Sequence, residues 1–141
     1  MHVSLTRLRI RSLRFLPGFV VYALRSESQV RSSAGFQKGS LLPDRKLTFW
    51  TMTLWDSPES MRAYMTSGAH KAAMPKLLHW CDQASVTHWE TDEDTLPPWE
   101  DAASRMRSQG RPSKVLHPAS GHADLTFDPP RLSPFKPIAP R

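Results

Sequence analysis

The chain of 141 residues has room for one ordinary hydrophobic core and not for two. It carries 19 Lys and Arg against 13 Asp and Glu, and its one cysteine, Cys81, excludes an internal disulfide and suits a reducing compartment. No apolar run approaches the roughly 18 residues a membrane span requires, so the sequence predicts a soluble, cytoplasmic protein without a membrane partner.

At 39% the hydrophobic content is low, and nine of the 13 prolines fall from Pro97 onward. This composition disfavours continuous packing and divides the chain into a folded domain, residues 1–91, and a C-terminal extension, residues 92–141. The charge divides at the same point: residues 1–91 hold twelve Lys and Arg against six Asp and Glu, and the extension holds seven of each. Arg7, Arg9, Arg11 and Arg14 supply much of the excess. Arg7, Arg9 and Arg11 alternate as on the outer face of a strand, which favours a strand over a transit peptide. Neither a Gly-rich aromatic signature nor a Cys/His finger accompanies the charge, so nucleic acid is not a predicted partner.

In chain order, "VSLTRLRI", residues 3–10, has strand composition. "PGFVVYALRSESQVRSSAG" opens on a proline suited to a first helical turn, places Phe19, Val20, Ala23 and Leu24 at helical spacings, and stops at Gly35. "FQKGSLL" and "KLTFWTMTLW" flank the turn formers Pro43 and Asp44 and predict a hairpin. The second run is apolar or aromatic on both faces, so both are predicted to be covered. In "DSPESMRAYMTSG", Ser57 suits an N-cap, Pro58 the first turn and Gly68 a left-handed stop, with Met61, Tyr64 and Met65 as the buried stripe. "HKAAMPKLLHWCDQ" predicts a further helix kinked at Pro75. "SVTHWET", residues 85–91, closes the series as a strand. The order β-α-β-β-α-β predicts an α+β, ferredoxin-like sandwich, whose sheet carries helices on one face and leaves the other open for a second copy. In the extension, "LPPWEDAASRMRSQG" predicts a short helix over about 98–109, with Trp99, Ala103 and Met106 as a stripe that docks on its own or a partner subunit. An irregular, Pro-rich tail follows.

The segment "TFWTMTLWDSPESMRAYMTSGAHKAAM" resembles the strand-plus-helix signature of the dimeric α/β-barrel proteins, which include the antibiotic biosynthesis monooxygenases and the haem-degrading monooxygenases. The resemblance extends over residues 3–91. "SGAH" is similar to the Gly-Ala-His segment of the spheroidene monooxygenase-like branch and its uncharacterised relatives. It implies a homodimer joined through the open sheet face and an oxidoreductase of monooxygenase type, cofactor-free or haem-dependent. It also implies an apolar or aromatic small-molecule substrate; the alternative is a non-catalytic binding or dimerisation module of the same fold. The Trp and the haem-ligating His of the haem-degrading members align with Tyr64 and Met74 here, so neither residue is kept.

His70 is the candidate catalytic residue, as ligand or acid/base, because it follows the helix break where the helix layer should open; the competing reading is a histidine satisfied by backbone. If haem is bound, His70 and Met74 are its candidate ligands, since Met74 lies one helical turn further on. Trp50, Met52, Trp55, Met61 and Tyr64 are the candidate pocket residues, with core packing as the alternative. Thr51 and Thr53 point away from Trp50. His79 and Cys81, two apart, face different directions, and no metal site is predicted.

Overall fold

The computed structural model describes residues Met1–Arg141. Strand β1 (His2–Ile10) leads through a short 3-10 turn (Leu13–Phe15) into α1 (Leu16–Arg31). A hairpin of β2 (Phe36–Asp44) and β3 (Thr48–Trp55) is followed by α2 (Pro58–Met65), α3 (Gly68–Trp80) and β4 (Cys81–Glu90). The extension adds α4 (Trp99–Gln109) and two short strands, β5 (Arg111–Pro112) and β6 (Lys136–Ile138). All pairings are antiparallel, in the order β5-β4-β1-β3-β2-β6. The α+β, ferredoxin-like arrangement expected from the element order is the one present.

Local chemistry accounts for the element ends. Ser57 is extended at φ −157°, and its Oγ accepts the N–H of Ser60 at 3.2 Å, with Pro58 in the first turn; such caps contribute about 1 kcal/mol. Gly68, the first residue of α3, sits at φ +57°, a conformation that costs a side chain about 1–2 kcal/mol. Helix α3 runs through Pro75 and ends at Trp80, so the last strand starts at Cys81 and not at residue 85. The hairpin turn lies at Arg45–Leu47 and not at Pro43, because Lys46 and Leu47 both adopt positive φ (58° and 59°) and Pro43 remains paired with Phe49. Asp44 holds this turn: its Oδ1 accepts the N–H of Arg45 and its Oδ2 the indole N–H of Trp50.

Side-chain alternation sends β3 to two cores. Trp50, Met52 and Leu54 join Val3, Leu5 and Leu42 on one sheet face, where α4 presses Trp99, Ala102, Ala103 and Met106 onto them. Trp55 and Phe49 point to the other face, beneath α1, α2 and α3. The face expected to stand open for a second copy is thus covered by the chain's own α4, which buries the apolar stripe foreseen for that helix. Phe127 of the tail completes this layer against Trp50, with ring centroids 5.4 Å apart.

The arginines expected on an outer strand face take part in the same covering. Arg7 is 8% exposed, donates from Nη1 to Gln83 Oε1 at 2.7 Å and stacks 4.6 Å from the Phe127 ring. Burial lowers its pKa to about 10. Arg9 forms a two-pronged pair with Asp82 at 3.0 and 3.1 Å. Beyond α4 the tail is mostly irregular, but its two strands pair with both sheet edges, and Ile138 enters the core beside Trp55. Lys136 pairs with Glu27 at 2.8 Å and Arg141 donates to Ser28 and Ser32, which ties the chain end along α1.

Candidate functional site

The helix-covered face of the sheet encloses a cavity of about 200 Å³. Its floor is β1 and β3. Its roof is formed by Tyr22, Ala23 and Ser26 of α1, Met61 and Tyr64 of α2, and His70, Ala73 and Met74 of α3. Residues Ser113 and Lys114, after β5, and Ile138 of β6 close its ends. A wider groove of about 620 Å³ lies between residues 91–98 and α4, lined mainly by polar and charged side chains such as Asp101, Ser104 and Arg105. The smaller cavity is the better candidate, because a largely apolar recess with convergent polar groups is what orients a small organic molecule.

His70 is placed by its neighbours on both sides. Gln29 of α1 accepts the His70 backbone N–H at Oε1 (2.9 Å), while its Nε2 donates to the carbonyls of Tyr64 (3.1 Å) and Ser67 (2.9 Å). One side chain therefore joins α1 to the α2–α3 turn. Gly68 leaves room for it, since a Cβ there would lie 3.0 Å from the Gln29 amide carbon. The His70 ring packs against Tyr64, centroids 4.9 Å apart, and its Nδ1 lies 3.1 Å from the Met65 carbonyl oxygen.

A carbonyl only accepts, so this contact assigns the proton to Nδ1 and leaves the Nε2 of neutral His70 with a free lone pair. Burial lowers the His70 pKa below the ordinary 6.5, against the opposing effect of the Met65 carbonyl. The neutral ring is therefore the form present at neutral pH. Tyr64 is shifted oppositely: burial raises its pKa well above the ordinary 10, and its hydroxyl donates to the Ser26 carbonyl at 3.3 Å. Of the two, only His70 offers an unshared lone pair for accepting a proton. Glu27 at the cavity edge is held by Lys136.

Of the candidate pocket residues, Trp55, Met61 and Tyr64 line the cavity, as do His70 and Met74. Trp50 and Met52 do not. They are 0% and 1% exposed in the core under α4, because positions 50 and 52 point to the opposite sheet face from Trp55. Cys81 is buried and inert, its thiol pushed up to about 12 by burial and by Asp82. No three His, Cys, Asp or Glu side chains converge in an arrangement suited to a metal ion.

The haem expectation meets a size limit. About 200 Å³ falls below the 300–1,000 Å³ of typical drug-sized ligand sites, and a tetrapyrrole is larger than most such ligands. Met74 is 45% exposed. His70 Nε2 has the chemistry of an axial ligand, but the surrounding space does not fit the macrocycle.

Sequence reasoning missed Gln29, which sits among serines and arginines on α1 without any motif. It also missed Ser4 and Thr6, whose alternation with Leu5 was the available signal. Both line the cavity floor, each facing a threonine of β3.

The comparisons with known proteins agree with this architecture. A family model described as a domain of unknown function, DUF3291, matches residues 11–113. An antibiotic biosynthesis monooxygenase of known structure is similar over 66% of this chain and 100% of its own, at 11% identity and a TM-score of 0.59. Rv0793 from Mycobacterium tuberculosis is similar over 67% of this chain and 98% of its own, at 11% identity and a TM-score of 0.58. SnoaB from Streptomyces nogalater, a cofactor-independent oxygenase, is similar over 68% of this chain and 96% of its own, at 14% identity and a TM-score of 0.54. At such identities the likeness is one of fold. No curated protein sequence matches the chain. No helix is long and apolar enough to cross a membrane. The chain belongs to the DUF3291 family and has the ferredoxin-like fold seen in antibiotic biosynthesis monooxygenases.

Proposed function

We propose that this protein binds a small aromatic molecule in the cavity between sheet and helices and oxidises it with molecular oxygen, with His70 as the general base. The observation that carries the reading is His70 itself: Nδ1 committed to the Met65 carbonyl, the ring held neutral by burial, and the residue on the wall of a largely apolar cavity. A phenol suits this arrangement. Its hydroxyl proton passes to Nε2, and the electron-rich ring donates electrons to oxygen. The sum balances without an added reductant: a phenol with a free para C–H plus O2 gives the para-quinone plus water. The apolar walls keep bulk water away from the reacting ring. The cofactor-independent oxygenase SnoaB has this fold, which supports oxygen chemistry without a bound redox group.

Oxygen uptake with 1-naphthol tests the proposal, with naphthoquinone followed by absorbance. Turnover that drops about 100-fold in His70→Gln supports it. Saturable binding with no uptake favours a non-catalytic binding module, a reading that rests on Tyr64: its hydroxyl is tied to the Ser26 carbonyl, so no second acid/base group stands ready beside His70. Homodimerisation belongs with this proposal too, but the covered sheet face requires a different surface.

A further inference from the structure

The cavity floor is not uniformly apolar. Ser4 and Thr6 of β1 lie directly opposite Thr53 and Thr51 of β3, and all four side chains line the cavity. Residues two apart on a strand share a face, so two cross-strand pairs make a continuous patch of four hydroxyls. Thr53 is engaged, since its Oγ1 accepts the indole N–H of Trp55 at 2.9 Å. The hydroxyls of Ser4, Thr6 and Thr51 have no such partner within the chain. Ser4 is 8% exposed, and what remains open of it faces the cavity.

The three hydroxyls without a partner face the cavity, so a ligand that displaces solvent from this floor must offer oxygen or nitrogen atoms on the matching side or leave them unpaired. The opposite wall is largely apolar, with His70, Tyr64 and Ser26 as its polar members. The volume of about 200 Å³ limits the occupant to one or two fused rings.

Resting on the reading of this cavity as a ligand site, we infer that the hydroxyl patch of Ser4, Thr6, Thr51 and Thr53 sets its specificity. The patch selects a flat one- or two-ring molecule that carries, besides the hydroxyl turned to His70, a second hydroxyl or carbonyl oxygen on the edge laid against the sheet, and it discriminates against the analogue without that second oxygen. Each hydroxyl can donate to a carbonyl or accept from a phenol, so both oxygen types are recognised. Discrimination follows because the analogue without the second oxygen leaves the hydroxyls unpaired after displacing their solvent.

The matched probes 1-naphthol and 1,5-dihydroxynaphthalene test this by calorimetric or fluorescence titration of the full chain. The variants are Thr51→Val and Thr6→Val, isosteric changes that suit a strand, with Thr51→Ser retaining the hydroxyl. The expected result is binding of 1,5-dihydroxynaphthalene about three- to tenfold tighter than 1-naphthol, a preference lost in the Val variants and kept in Thr51→Ser. Equal binding of the two probes, or a preference that survives both Val changes, overturns the inference and leaves the cavity as an unselective site. No saturable binding of either probe overturns the cavity as a ligand site, and the inference falls with it.

Discussion

Gln29 and His70, 41 residues apart, are joined by a 2.9 Å hydrogen bond from the His70 backbone N–H to the Gln29 carboxamide oxygen. The same carboxamide donates to the carbonyls of Tyr64 and Ser67, so the turn carrying His70 is fixed from α1. Replacing Gln29 with Ala frees three backbone groups at once. The expected cost is about 1–3 kcal/mol in chemical denaturation. The amides of Ser67–Lys71 should exchange faster by hydrogen exchange, while those of β1 and β3 remain protected.

Three histidines give stability a defined dependence on acid. His2, His70 and His88 all have pKa values lowered from 6.5, with burial the largest cause in each. Folded, they bind protons more weakly than in the unfolded chain. Stability is therefore complete above about pH 6.5 and falls as the pH drops through that value and the unfolded state gains the extra protons. Thermal melts between pH 7.5 and 5 should show a declining Tm. His70→Gln should flatten the decline, and an unchanged slope in that variant would contradict the burial assigned to the ring.

Trp50 and Trp55 are both fully buried, but they belong to different cores. Trp50→Ala should cost about 3–5 kcal/mol through lost contacts with Trp99 and Phe127 and an unpaired Asp44 oxygen. The milder Trp50→Phe should leave the cavity's ligand affinity unchanged. Trp55→Phe removes the donor to Thr53 and alters the cavity wall, so it should change affinity at a smaller cost in stability. Paired denaturation and binding titrations separate the two roles.

The extension is part of the fold, which a shortened chain can test. Residues 1–91 alone would expose Val3, Leu5, Trp50, Met52 and Leu54 as a contiguous apolar patch. Sedimentation of that fragment should reveal self-association or precipitation. A stable, monodisperse monomer would show that α4 is dispensable to the sheet.

Much of the architecture was legible in local residue types. Ser57-Pro58 marked a helix start, Gly68 a left-handed break, and the strand-helix alternation a ferredoxin-like sandwich. Trp55, Met61, Tyr64 and His70 could be placed near one another because helix and strand periods bring them to the interface of the two layers. Trp50 and Met52 were misplaced because both faces of β3 carry large apolar side chains, and the alternation of Thr51 and Thr53 with them does not say which face meets the helices. The covering of the second face was hidden for a related reason: the stripe Trp99, Ala103, Met106 marks a helix that docks, but not the surface it chooses. The Gln29 clamp and the His70 proton position rest on contacts between residues distant in sequence, which no local pattern records.

Occupation of the α1–α3 side of the sheet by a ligand can be read directly from the five tryptophans. In 15N-labelled protein titrated with 1-naphthol, the Trp55 indole resonance and the amides around His70 should shift together and saturate. The Trp50 and Trp99 indoles, under α4, should stay in place. Saturating shifts at Trp50 and Trp99 with none at Trp55 and His70 would put the site on the other face and contradict the account.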